Sequence, residues 1–148
     1  MLTRRTICAL GAGVVLAACT NQARPISFPL IEHATRVRVL IADQGEREPG
    51  MSSSGLVGEF DDPVAVARLL QFVNARRDGF VHPPFGPPIP EVTIEILNGD
   101  ELQSAFRSGP NFFQRATFWT RNASPSEVLE FLSLIGVDPA RLRHPPRA

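Results

Sequence analysis

Asp61, Asp62 and His82 are the residues of this sequence that come nearest to an acid–base set. Carboxylates and an imidazole can exchange protons near neutral pH, provided that the fold brings them within hydrogen-bond reach of one substrate. Asp62, however, stands directly before Pro63, and an aspartate followed by proline is typical of a helix start. Because capping explains one carboxylate without catalysis, we expect no catalytic residue. An enzyme with an unrecognised acid–base site built on these three residues is the alternative.

Metal and cofactor sites are not expected from the residue pattern either. A lone pair of carboxylates lacks the six or so oxygen ligands that calcium requires. The sequence contains no phosphate-cradling glycine loop, no paired-histidine zinc motif and no EF-hand loop. The other histidines, His33 and His144, fall in segments that we interpret as a tether and a tail, where a solvated imidazole is expected. We therefore predict no cofactor and no bound metal.

The most unusual segment is 81–90, with the sequence VHPPFGPPIP, in which five of ten residues are proline. Such a run is held in an extended, polyproline-like conformation. It could present His82 and Phe85 as a rigid docking surface whose aromatic ring enters a partner's pocket. It could also be a stiff crossover in which Phe85 covers the edge of the core. The second interpretation is favoured.

Segment 112–121 holds four aromatic residues, which are Phe112, Phe113, Phe118 and Trp119. They could line a ligand groove, but aromatic residues in a strand are first of all core residues, and that interpretation is favoured. The candidate interaction residues that the sequence offers are His82, Phe85 and Trp119.

Hydrophobic spacing predicts the elements that would position these residues. Strands are predicted at 36–41, 56–60, 92–96, 101–107 and 112–121, and helices at 63–77 and 125–136. Asn98-Gly99 indicates a tight turn, and Ser124 with Glu127 forms a capping box at the start of the second helix. The order ββαβββα predicts an α+β fold, a two-layer sandwich of a mainly antiparallel sheet with its helices on one face.

Composition limits the class of partner. The chain carries 15 basic residues, all arginine, and 15 acidic residues, so its formal net charge is zero. Because a balanced chain lacks the basic surface that nucleic acids require, we expect no nucleic-acid partner. Cys8 and Cys19 are the only cysteines. The chain beyond Cys19 therefore has no thiol for a disulfide, a metal or nucleophilic catalysis.

Segment 1–18 is typical of a signal peptide. Arg4 and Arg5 precede a run from Thr6 to Ala18 without charge. As a helix this run would rise only about 20 Å, which is too short for a hydrocarbon layer of roughly 30 Å. Thr3 to Ile7 also resembles a truncated twin-arginine signal, so the export route stays open between the general and the twin-arginine pathways.

Leu16-Ala17-Ala18-Cys19 resembles the lipobox of bacterial lipoproteins. The resemblance covers the signal segment alone. It implies that the peptide is cleaved between Ala18 and Cys19, that the Cys19 sulfur carries a diacylglyceryl group, and that the new amino terminus is acylated, for instance with palmitate. Two or three acyl chains make such an attachment durable, whereas one holds a protein only marginally.

The lipobox resemblance sets the expected location and organisation. Under the enteric sorting rule, threonine at position 20 favours the periplasmic face of the outer membrane over the inner membrane. We expect a signal peptide at 1–18, a lipidated cysteine and tether at 19–34, one domain at 35–137 and a flexible tail at 138–148. The expected function is that of an envelope lipoprotein, a non-enzymatic binding module. Its expected partner is the membrane, reached through the acyl chains on Cys19, and an envelope protein or cell-wall component is a further candidate.

Overall fold

The computed structural model describes residues 24–42 and 54–147, and the predicted signal segment with Cys19 lies outside them. The fold is α+β, with a six-stranded antiparallel sheet and two α-helices. In chain order the elements are β1 (Arg36–Ala42), β2 (Ser54–Phe60), α1 (Pro63–Ala75), β3 (Val92–Asn98), β4 (Glu101–Ser108), β5 (Phe112–Arg115), β6 (Trp119–Asn122), α2 (Pro125–Leu134) and a short 3-10 helix (Pro139–Arg141). The strands lie side by side in the order β2-β1-β3-β4-β5-β6.

The single strand predicted at 112–121 is wrong, because the chain reverses in its middle and forms the β5–β6 hairpin. Ala116 lies in the turn with a φ of 46°, and the Gln114 side chain donates a hydrogen bond of 2.9 Å to the Thr117 carbonyl. Hairpin turns that need a positive φ are usually marked by glycine or asparagine, and alanine seldom adopts this conformation. Because Ala116 occupies the position, the sequence gives no signal of the turn. The observed order is therefore ββαββββα.

The core lies between the sheet and the two helices. Phe72 of α1 and Phe131 of α2 both contact the rings of Phe106 and Phe113, which stand on β4 and β5. Alternating residues of β1 and β3 join the same cluster, namely Val37, Val39, Ile41, Val92, Ile94 and Ile96. Burying each large apolar side chain stabilises the fold by roughly 1.5–3 kcal/mol, so these shared rings fix both helices against the sheet.

The segment after α2 differs from the flexible tail predicted at 138–148. Leu142 is buried in the core cluster, and the Glu91 carboxylate accepts the backbone N–H of His144 at 3.1 and 3.2 Å. Nδ1 of His144 lies 2.7 Å from the same carboxylate. Strand alternation places Glu91 on the solvent side, yet it is only 8% exposed. A buried carboxylate requires hydrogen-bond donors, and here they come from the far end of the chain.

Both helices begin at the predicted caps. The Asp62 side chain accepts the N–H of Ala65 at 2.8 Å. The Ser124–Glu127 capping box is complete, so both predictions are confirmed. Glu127 also lies 3.1 Å from Nε of Arg76, which follows the end of α1. The hydrogen bond from the Ser124 backbone N–H has the largest effect on the Glu127 pKa and lowers it below its ordinary value. Burial raises this pKa by less, and Arg121 and Arg76 lower it further.

Glu127 should make the free energy of unfolding depend on pH in the acidic range. Its ionised form is stabilised in the folded state, so its contribution is complete well above pH 4.5 and is lost as the pH falls below this value and through the lowered pKa. We expect Glu127→Gln to lower the free energy of unfolding by about 1 kcal/mol at pH 7 and to have a smaller effect at pH 3. Urea denaturation at the two pH values measures the difference.

The matched control is Glu130→Gln. Glu130 also pairs with Arg76, but its side chain is 55% exposed. The variant should therefore change stability by no more than about 0.5 kcal/mol at either pH. An equal loss of stability in Glu127→Gln at pH 3 and pH 7 would contradict the assignment.

Candidate functional site

The structure does not bring the acid–base candidates together. Asp61 and Asp62 lie between β2 and α1, whereas His82 follows Val81, which pairs with Thr120 of β6. β2 and β6 are opposite edges of the sheet, five strand spacings apart, or on the order of 20 Å. The Asp62 carboxylate is also occupied as the cap of α1. The set of Asp61, Asp62 and His82 is therefore not one acid–base site.

His82 lies instead in a group of aromatic rings beside β6. Its ring stacks on Phe118 with centroids 5.7 Å apart, and it meets Trp119 edge-on at 5.9 Å. Two backbone hydrogen bonds between Val81 and Thr120, of 2.8 and 2.9 Å, hold the proline-rich segment against the β5–β6 hairpin. We call His82, Phe118 and Trp119, with Phe85 on the same loop as His82, the aromatic patch.

The aromatic patch is largely open to solvent. The Phe85 side chain is 99% exposed and Phe118 is 51% exposed, while Trp119 is partly buried. The favoured interpretation of Phe85, that it covers the edge of the core, is therefore wrong. Phe112 and Phe113 are buried, as the core interpretation of that segment predicts, but the same interpretation is wrong for the exposed Phe118. Phe85 and Phe118 therefore leave apolar ring surface in contact with water.

The loop that carries Phe85 is stiff. Prolines at 83, 84, 87, 88 and 90 restrict φ along it. Gly86, with a φ of 87°, closes a turn by donating its N–H to the Pro83 carbonyl at 3.4 Å. A ring held on such a loop loses little conformational entropy when it is buried against a partner.

Residues 24–31 form an arm that lies on the domain next to this patch. Ile26 exchanges two backbone hydrogen bonds with Phe80, of 2.8 and 3.2 Å, and the N–H of Phe28 donates to the Arg77 carbonyl at 2.9 Å. Asn74 of α1 holds Ile31 by a pair of hydrogen bonds, accepting its N–H at 2.9 Å and donating to its carbonyl at 3.0 Å.

The arm also covers a buried arginine. Arg115 is 4% exposed, and its guanidinium lies 4.5 Å from the centre of the Phe28 ring. Nη2 of Arg115 donates to the Ser104 hydroxyl at 3.3 Å, and within the described part of the chain Nη1 has no hydrogen-bond partner. Burial lowers the pKa of this guanidinium. The prediction of a tether over 19–34 therefore does not hold from residue 24 onward.

His33 lies apart from the patch, at an open cleft of about 460 Å³. Glu32, Thr35 and Asn98 line the cleft together with apolar residues of α1 such as Val66 and Leu70. His33 and Glu32 are exposed. The cleft offers no buried polar group that would hold a ligand in one orientation.

Residues 24–42 and 54–147 contain no arrangement suited to a metal ion. Within these ranges no group of three or more histidine, cysteine or acidic side chains is placed to hold one. No helix among the same residues is long and apolar enough to cross a membrane.

Comparison of the chain with family models, with curated proteins and with solved structures gives no significant match. Inference about its function therefore rests on the residues described above.

Hydrogen exchange distinguishes a docked arm from a free tether. The backbone amides of Ile26, Phe28 and Ile31 all donate hydrogen bonds, so they should exchange more slowly than in an unstructured peptide. Asn74→Ala should abolish the protection of Ile31 and destabilise the protein by about 1–2 kcal/mol. The control is Gln71→Ala, because Gln71 is an exposed residue of the same helix. Unprotected amides at 26–31 in the unaltered protein would contradict the docked arrangement.

Proposed function

We propose that this chain is a bacterial envelope lipoprotein, cleaved before Cys19 and anchored by acyl chains on that residue, whose folded domain is a non-enzymatic binding module. The lipobox-like sequence from Leu16 to Cys19 supports the anchoring, as do the two arginines and the apolar run before it. Threonine at position 20 supports the periplasmic face of the outer membrane as its location.

The aromatic patch is the observation that carries the binding role. Phe85 is almost fully exposed on a proline-rich loop, and the same loop carries His82, whose ring stacks on Phe118. A pre-ordered aromatic surface of this kind is what recognition of a partner requires. The alternative, an enzyme built on Asp61, Asp62 and His82, gains no support from a geometry that holds the aspartates and the histidine at opposite sheet edges.

Mass spectrometry of the protein isolated from its native membrane tests the anchoring. We expect the mature chain to begin at Cys19 and to carry the added mass of a diacylglyceryl group and an amide-linked acyl chain. Cys19→Ala should abolish both the cleavage and the added mass, since the sulfur is the site of attachment. Cys8→Ala is the matched control, and it should leave the mature product unchanged. A mature chain that begins elsewhere, or a Cys19 sulfur without lipid, would refute the proposal.

A further inference from the structure

We infer that the aromatic patch faces the bilayer to which the protein is anchored, and that Phe85 and Phe118 insert among the lipid headgroups. The inference rests on the proposed anchoring through Cys19, and it names the lipid surface as the partner that the patch of the proposed binding module contacts. It is carried by the length of chain between Cys19 and the arm, by the position at which the arm begins, and by the chemistry of the patch.

The connection to the anchor is short. Residues of the arm are hydrogen-bonded to the domain from Ile26 onward. The seven residue steps from Cys19 to Ile26 reach at most about 25 Å, even when fully extended. Crossing the headgroup layer uses roughly 5–7 Å of this distance. The corner of the domain where Ile26 pairs with Phe80 is therefore held within roughly 18–20 Å of the headgroup surface.

The arm begins beside the aromatic patch. Ile26 and Phe80 form an antiparallel pair. The chain before Ile26 and the chain after Phe80 therefore leave the pair in the same direction, and Arg24 and His82 each lie two residues along these chains. His82 contacts both Phe118 and Trp119. The short connection consequently pulls this corner of the domain, rather than the distant β2 edge, toward the lipid.

The residue types of this corner suit a headgroup layer. Segments 80–90 and 116–120 contain no acidic residue, so anionic lipid meets no carboxylate within them. Tryptophan is enriched at membrane–water interfaces, and phenylalanine is among the apolar residues that interfacial helices bury at the headgroup boundary. A phenylalanine ring buries apolar area on the order of 150–250 Å². Phe85 gains most from such burial because it is almost fully exposed, and Ile89 on the same loop is 80% exposed.

A fluorescent label at position 85 tests the contact. The lipidated protein with Phe85→Cys would carry an environment-sensitive nitrobenzoxadiazole group at its single free thiol. It would be reconstituted in phosphatidylethanolamine–phosphatidylglycerol vesicles at less than one copy per vesicle, which prevents contact between copies. We expect the emission to shift to shorter wavelength, and we expect headgroup spin-labelled lipid to quench it strongly.

The matched control carries the same label at Val64→Cys. Val64 is an exposed apolar residue, at 59%, near the start of α1, which follows the opposite edge strand of the sheet. Its label should keep the emission of an aqueous probe and resist quenching. Substituting Phe118 by serine in the Phe85→Cys protein should reduce the quenching at position 85, since one of the two inserted rings is lost.

Equal, water-like emission from both labels, in protein whose acyl chains are verified by mass spectrometry, would overturn the inference while leaving the anchoring intact. In that case the patch is free for a protein or cell-wall partner. Protein without acyl chains would overturn the proposed anchoring itself, and with it the inference. The two failures are therefore distinguishable within one preparation.

Discussion

The backbone pairing of Ile26 with Phe80 is the contact on which the functional account depends. It fixes the point at which the amino-terminal chain meets the domain, and its hydrogen bonds of 2.8 and 3.2 Å are supported by the Asn74 clamp on Ile31. Without this pairing, segment 20–34 would be a tether long enough to let the domain turn freely. With it, only seven residue steps separate Cys19, the proposed anchor, from the first docked residue.

The same corner is built by successive pairing at one edge of the sheet. Thr120 of β6 pairs with Val81, which covers part of this sheet edge, and the neighbouring Phe80 pairs in turn with Ile26 of the arm. Arg115 lies under Phe28 in this arrangement, with its guanidinium against the ring. The aromatic patch is thereby attached to the rigid core through β6, while the proline loop extends outward from it.

Neighbouring residues in the sequence were enough to predict those elements that neighbouring residues determine. The Asp62 and Ser124 caps, the strand alternation of β1 and β3, and the α+β class all follow from neighbouring residues. The β5–β6 turn was missed because Ala116 adopts a positive φ without a glycine or asparagine signal. The burial of Glu91 and the docking of the arm were missed because their hydrogen-bond partners lie far away along the chain. Such pairings depend on the assembled fold, which hydrophobic periodicity does not report.

Neutron reflectometry of the lipidated protein on a supported bilayer tests the central claim most directly. The quantity to measure is the thickness of the water layer between the lipid headgroups and the folded domain. The account predicts that protein density begins within the headgroup region, with no resolved water layer. A resolved water layer, of any thickness up to the roughly 18 Å that the connection leaves beyond the headgroups, would contradict it, because the domain would then stand off the membrane on an extended chain.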